Sequence, residues 1–167
     1  MKKLSLIFLI LFLIVSCSKM SDQDYLDKAS NLEKENKIPE AINSLETLLK
    51  ELPESKLAPK ALIQLAVIYQ NHKVKDLPIL KSYDRAQQYF REVYDKFPNS
   101  EEAPSSLFMS AFILANNLHR YDDATASYKL FMEKYPKSPL ITAAKDELDN
   151  MGLTPEEILK KKEVANN

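Results

Sequence analysis

Three stretches of the chain, "AINSLETLLKELPES" (Ala41–Ser55), "AQQYFREVYDKFPNS" (Ala86–Ser100) and "ATASYKLFMEKYPKS" (Ala124–Ser138), align without a gap. Each opens on alanine, reaches proline after the same interval (Pro53, Pro98, Pro136), and places a serine two residues later (Ser55, Ser100, Ser138). Bulky residues recur between those marks as Leu45, Leu49 and Leu52, then Phe90, Tyr94 and Phe97, then Tyr128, Met132 and Tyr135. A three-to-four spacing of this kind marks one face of an amphipathic helix. The alanine lets a neighbouring helix come close. Proline cannot continue a helix and ends it. The serine is then expected to cap the next helix through its hydroxyl.

The partners of these helices are legible upstream of each copy. "SDQDYLDKASNLEKENK" sets Tyr25, Ala29 and Leu32 on one stripe, "PKALIQLAVIYQNH" sets Leu62, Leu65, Ala66 and Tyr69, and "PSSLFMSAFILANN" sets Leu107, Phe108, Ala111, Phe112 and Leu114. Short turns, "ENKIPEA" and "NLHRYDDA", join the outer pairs. The middle turn, "NHKVKDLPILKSYDRA", is longer by about seven residues, and its Pro78 forbids simple helix continuation. No strand-type alternation appears in the body of the chain. Downstream, "SPLITAAKDELDNMG" reads as a capping helix ended by Gly152 in a left-handed position. Thr154-Pro155-Glu156-Glu157 opens one more short helix by the capping-box pattern, with a frayed tail expected from Lys160.

Paired helices with this alanine, an aromatic four residues on, and a terminating proline resemble tetratricopeptide (TPR) repeats. Tyr25 and Phe108 stand where that family has its leading aromatic. Leu48, Val93 and Phe131 depart from it, standing where a small residue is usual, and successive helix alanines are 45 and 38 residues apart rather than the family's roughly 34. The resemblance implies an all-α, TPR-type α-solenoid of about three helix pairs plus a C-terminal capping helix, over residues 22–152, followed by the short helix and tail of 153–167. The residues after each proline, as in "FPNSEEAP" and "YPKSPLIT", are similar to the longer repeats of periplasmic TPR lipoproteins of the BamD-like and CpoB/YbgF-like kinds.

The first sixteen residues belong to a different category. Lys2 and Lys3 precede an apolar run from Leu4 to Val15 broken only by Ser5, too short for a bilayer that needs about 20 residues and of signal-peptide form. Ile14-Val15-Ser16-Cys17 resembles a bacterial lipobox. That resemblance implies cleavage after Ser16, lipid (palmitate-type acyl chains) on Cys17, and a tether over 17–21; two or three chains give lasting attachment where one would not. Ser18, in place of the aspartate that retains such proteins in the inner membrane, points to the outer membrane with the body facing the periplasm. Removal of residues 1–16 takes away Lys2 and Lys3 and leaves 21 positive against 24 negative charges.

Composition narrows the chemistry. The balance of 23 Lys+Arg against 24 Asp+Glu in 167 residues advertises no nucleic-acid partner. One cysteine with two separated histidines, His72 and His119, makes neither a disulfide nor a recognisable metal site, and a single glycine excludes Gly-rich phosphate loops. No cofactor is expected and no enzyme motif is visible. His119 near Asp122 and Asp123 is better read as a cation at a helix end than as a catalytic base. By the TPR resemblance the first helix of each pair lines a concave groove. This brings forward Gln64, Ile68, Asn71, Met109, Ser110, Ile113, Asn116 and Asn117, amides and adaptable apolar groups suited to an extended peptide. The expectation is a non-enzymatic, lipid-anchored adaptor for an envelope protein, of the outer-membrane assembly type. A division or peptidoglycan-linked scaffold is the alternative, and a hydrolase without a visible motif is the rival from another class.

Overall fold

Each second helix of a pair stops against its proline. In the computed structural model, which describes residues 20–165, α2 (Ile38–Glu51), α4 (Ile79–Lys96) and α6 (Tyr121–Lys134) give way to Leu52, Phe97 and Tyr135. These three adopt nearly one geometry, with φ of −132°, −130° and −126° and ψ of 57°, 54° and 56°. The ring of the following proline forbids them the helical region. Each still donates its N–H to the carbonyl four residues back, at Leu48, Val93 and Phe131. The leader, the Ile14–Cys17 motif and residues 17–19 of the tether lie outside the described residues.

The serines do not cap the next helices, contrary to the expectation from sequence. α3 (Ala58–Gln70), α5 (Ala103–Asn116) and α7 (Ile141–Asn150) begin after Leu57, Glu102 and Leu140, none of which makes a side-chain cap bond. The longer post-proline linker leaves the serine too early. It closes two successive turns instead: Ser55 N–H donates to Leu52 and Ala58 N–H to Ser55, a pattern repeated at Ser100 and Ser138. The hydroxyls of Ser55 and Ser138 accept from Leu57 N–H at 2.9 Å and Leu140 N–H at 3.3 Å. Pro59 and Pro104 sit in the first turn of α3 and α5, where a missing N–H is harmless.

The opposite turns use left-handed backbone. α1 (Asp22–Lys34) starts in a capping box between Ser21 and Asp24, and the Ser21 N–H bond holds the Asp24 carboxyl below its ordinary value of 3.8. Its far end turns through Asn36 at φ 59°, α3 turns through His72 at 53°, and α5 through His119 at 53°. Bonds reaching back over the last turn close all three, from Lys37 to Leu32, Lys73 to Ile68 and Arg120 to Leu114. Asn and His are among the few non-glycine residues that tolerate this region. The single glycine is kept for the turn after α7, at φ 79°. The histidines therefore shape turns. The His72 ring meets Tyr83 edge-on with centroids 4.6 Å apart, and His119 Nδ1 lies 3.3 Å from the Tyr121 hydroxyl.

Packing follows the pairs α1/α2, α3/α4 and α5/α6, with α4 laid on α5, α2 more lightly on α3, and α7 closing the array against α6. Among the described residues there is no strand, and the all-α, helix-pair solenoid with a capping helix is the fold. Ala41, Ala86 and Ala124 are fully buried, as close helix approach requires. The buried stripe, however, is rotated from the one read in sequence. Leu48, Val93 and Phe131, set aside as departures, are 0% exposed, while Leu49, Tyr94 and Met132 are only half-buried. Burial of each such large side chain contributes about 1.5–3 kcal/mol, so these residues are the core. The half-buried flank joins repeats, as Tyr94 and Tyr135 show by meeting edge-on at 6.1 Å.

The insertion in the middle repeat divides between helix and loop. α4 has 18 residues against 14 in α2 and α6, one extra turn at its start, and the remainder forms the loop that leads to Pro78. α8 (Pro155–Ala165) starts with the expected box, Thr154 N–H to Glu157 Oε2 at 2.7 Å and Glu157 N–H to Thr154 Oγ1 at 3.3 Å. It continues as helix past Lys160, where the sequence suggests fraying, and Lys161 Nζ donates to the Asp149 carbonyl at 2.7 Å.

Candidate partner-binding surfaces

The first-helix face differs from the groove that sequence led one to expect. Ile68, Ser110 and Ile113 are buried and present nothing to a peptide in such a groove, because α3 packs against both α2 and α4, and α5 against both α4 and α6. Two amides are engaged within the solenoid. Gln64 Nε2 on α3 donates to Ser30 Oγ at 3.3 Å and Glu33 Oε2 at 3.2 Å on α1, and Asn116 Nδ2 on α5 donates to Glu147 Oε2 on α7 at 2.9 Å. They lace successive first helices together. Asn71 and Asn117 are the C-cap residues of α3 and α5, the first exposed and the second half-buried. Met109 packs half-buried beside Ala66, Ala86, Phe90 and Ile113. Cys17 lies outside the described residues.

A second surface comes from the insertion. Its loop folds Lys73, Val74 and Lys75 against Asn36, Ile38, Pro39 and Ile42 and leaves a cleft of about 450 Å³. Lys73 is tied to Glu33 at 2.6 Å. Ile79 and Leu80, in the added first turn of α4, are 61% and 63% exposed. They sit one turn before Tyr83, so they emerge at the same end of the array.

The third surface is the seam between the second and third repeats. Gln87 and Arg91 from α4, Ser110 and Leu114 from α5, and Asp123, Ala126 and Ser127 from α6, with Arg120 just before it, line a cleft of about 240 Å³. Asp123 holds Arg120 through Nε at 2.8 Å and Nη2 at 2.6 Å, and Asp84 takes its Nη1 at 3.2 Å. Arg91 gives its Nε to Asp95 at 2.8 Å and lies over the Tyr94 ring. Ser110 Oγ donates to Gln87 Oε1 at 3.3 Å. Sequence reasoning named Ser110 for another face and passed over Gln87, Arg91, Arg120 and Ser127. The usable signal was a comparison of copies at fixed positions, since Gln87 aligns with Ile42, Ser127 with Tyr89, and Ser110 with Leu65.

Residues 60–100, spanning nearly all of α3, all of α4 and the turn beyond them, match the tetratricopeptide repeat family. Over that stretch the chain is similar to a tetratricopeptide repeat. The match covers the middle copy, insertion included. No curated protein and no solved structure matches the chain. Among the described residues no helix is long and apolar enough to cross a membrane, and no cluster of three metal-binding side chains occurs.

Proposed function

We propose that the protein is a lipid-anchored TPR scaffold of the outer membrane, held through Cys17 with its solenoid in the periplasm, where it binds a protein partner of the outer-membrane assembly type without catalysing a reaction. The observation that carries the reading is the joining of a lipobox-like Ile14–Cys17 to a helix-pair array whose middle pair is similar to a tetratricopeptide repeat. Tetratricopeptide repeats are protein-interaction modules, and stacked helix pairs offer extended surface rather than an enclosed reaction centre. A lipid anchor raises the effective concentration of such a module near membrane partners without any new contact.

Two measurements test the two halves. Radiolabelled palmitate should be incorporated into the wild-type chain and lost in Cys17→Ser; a wild-type chain that takes up no label refutes the anchor. Crosslinking in cells should recover barrel-assembly components. Recovery of septal components instead would move the protein to the division scaffolds, and turnover of an envelope substrate abolished by His119→Ala would make it an enzyme.

A further inference from the structure

The two seams between repeats share a backbone register and differ in chemistry. At the first, Ile42, Leu65 and Tyr89 belong to one apolar cluster and fill the space between α2 and α4 above α3. At the second, the same register carries Gln87, Ser110 and Ser127, and the space between α4 and α6 above α5 stays open. Gln87 is 9%, Ser110 1% and Ser127 4% exposed, yet Ser127 has no hydrogen-bond partner and the Ser110–Gln87 bond is long at 3.3 Å. A stack of helices gains little from polar groups that face open space at a joint, where apolar side chains would remove area from water.

We infer that this cleft is a binding site for the acidic side chain of a protein partner, an aspartate or glutamate entering between α4 and α6. This rests on the scaffold reading above and names the chemistry of its recognition. The cleft is rich in donors. Its acceptors are taken, Asp123 by Arg120 and Gln87 Oε1 by Ser110, whereas the Ser127 hydroxyl is unused and Arg91 hydrogen-bonds only through Nε, in an exposed i,i+4 pair that holds it weakly, with its guanidinium over the Tyr94 ring. Its volume of about 240 Å³ admits one side chain and not a helix. A carboxylate there takes the two remaining amino groups of Arg91 as a fork and the Ser127 hydroxyl as a third donor. Arg120, pinned by Asp84 and Asp123, forms the wall.

The test uses the full chain in detergent micelles, isotope-labelled for NMR and titrated with N-acetylglutamate N-methylamide or its glutamine counterpart. The glutamate probe should move the signals of Gln87, Ser110 and Ser127 saturably, with apparent affinity at least tenfold above that of the glutamine probe. Arg91→Gln, a surface change that leaves the core alone, should weaken it at least tenfold. The seam graft Gln87→Ile/Ser110→Leu/Ser127→Tyr, which copies the first seam, should abolish it with helicity unchanged. No saturable response, an equal response to both probes, or a response indifferent to Arg91→Gln would leave the cleft a hydrated joint and overturn the inference. Partner crosslinks that persist in the graft and in Arg91→Gln would do the same while the scaffold reading stands. A wild-type chain with no partner crosslinks would sink that reading alone.

Discussion

Between the first and second repeats the solenoid is sealed by Ile42, Leu65 and Tyr89; between the second and third it is lined by Gln87, Ser110 and Ser127. Both seams hang on the same strut. Phe90 on α4 lies in one cluster with Ala66 of α3 and Ile113 of α5, so the backbone register at either side is set by buried apolar contact. Register and chemistry are therefore separable in this fold. Even the rim follows the contrast, for Tyr89 donates to Glu46 at 3.2 Å where the other seam has Ser127 and Arg91. Burial first and the Glu46 charge second push the Tyr89 phenol well above its usual range, so it serves as a neutral donor at any ordinary pH.

The comparison breaks most completely at the strut. Phe90→Ala should lose about 3–5 kcal/mol in urea unfolding, and a loss under about 0.5 kcal/mol would mean that the shared register is wrong. Next come the seams themselves. Leu65→Ala should cost about 2–5 kcal/mol, while its counterpart Ser110→Ala, which loses only its long bond to Gln87, should cost about 0.5–1.5 kcal/mol; equal losses would erase the distinction. Overpacking the third repeat with Ala124→Leu should cost about 1–3 kcal/mol, read from the same unfolding curves, and a neutral result would show that this alanine does not set a close helix contact. Tyr128 offers a change in the other direction. It is fully buried with a hydroxyl that finds no partner, and burial first, then the Glu147 charge, raises its pKa. Tyr128→Phe should therefore gain about 1 kcal/mol, and destabilisation would reveal a bond to that hydroxyl. The smallest effect is at the N-terminal cap. Because the Asp24 carboxyl is depressed in the fold, its contribution is present above 3.8 and is lost as pH falls through the lower folded value. An acid titration followed by circular dichroism should show α1 of Asp24→Asn already weakened at neutral pH and insensitive to that step.

The alanine and proline marks were readable because their meaning is local, whereas the serine recurs as regularly but closes turns instead of capping a helix. A proline constrains the residue before it wherever the chain goes, and three copies exposed the unit. The face of each helix was harder. Leu48 and Leu49 differ by one position and either fits a three-to-four spacing; which one is buried depends on where the partner helix crosses, and that is decided by residues far along the chain. The same uncertainty sent Ile68 and Ile113 to a surface they do not reach. The histidines looked like charged helix ends because a left-handed backbone angle leaves no mark on a sequence beyond a residue type that tolerates it. The polar seam needed both kinds of knowledge, the repeat register and the packing, since Gln87, Ser110 and Ser127 lie on three separate helices.

One early detail sets a scale for the whole assembly. Ser55 Oγ donates to Asp22 Oδ2 at 2.7 Å, which fastens the start of α1 to the turn after Pro53 and so to the end of the array where Pro98 and Pro136 also lie. With Cys17 acylated as proposed, the leash from lipid to Asp22 is five residues, at most about 17 Å when taut. The proline edge would then stay within about that distance of the bilayer surface. Asn36, His72 and His119 stand a helix length farther out, about 20 Å for the 13 residues of α1. A partner embedded in the membrane would meet the first edge, and one arriving through the periplasm would meet the second, where the insertion and the mouth of α6 are displayed.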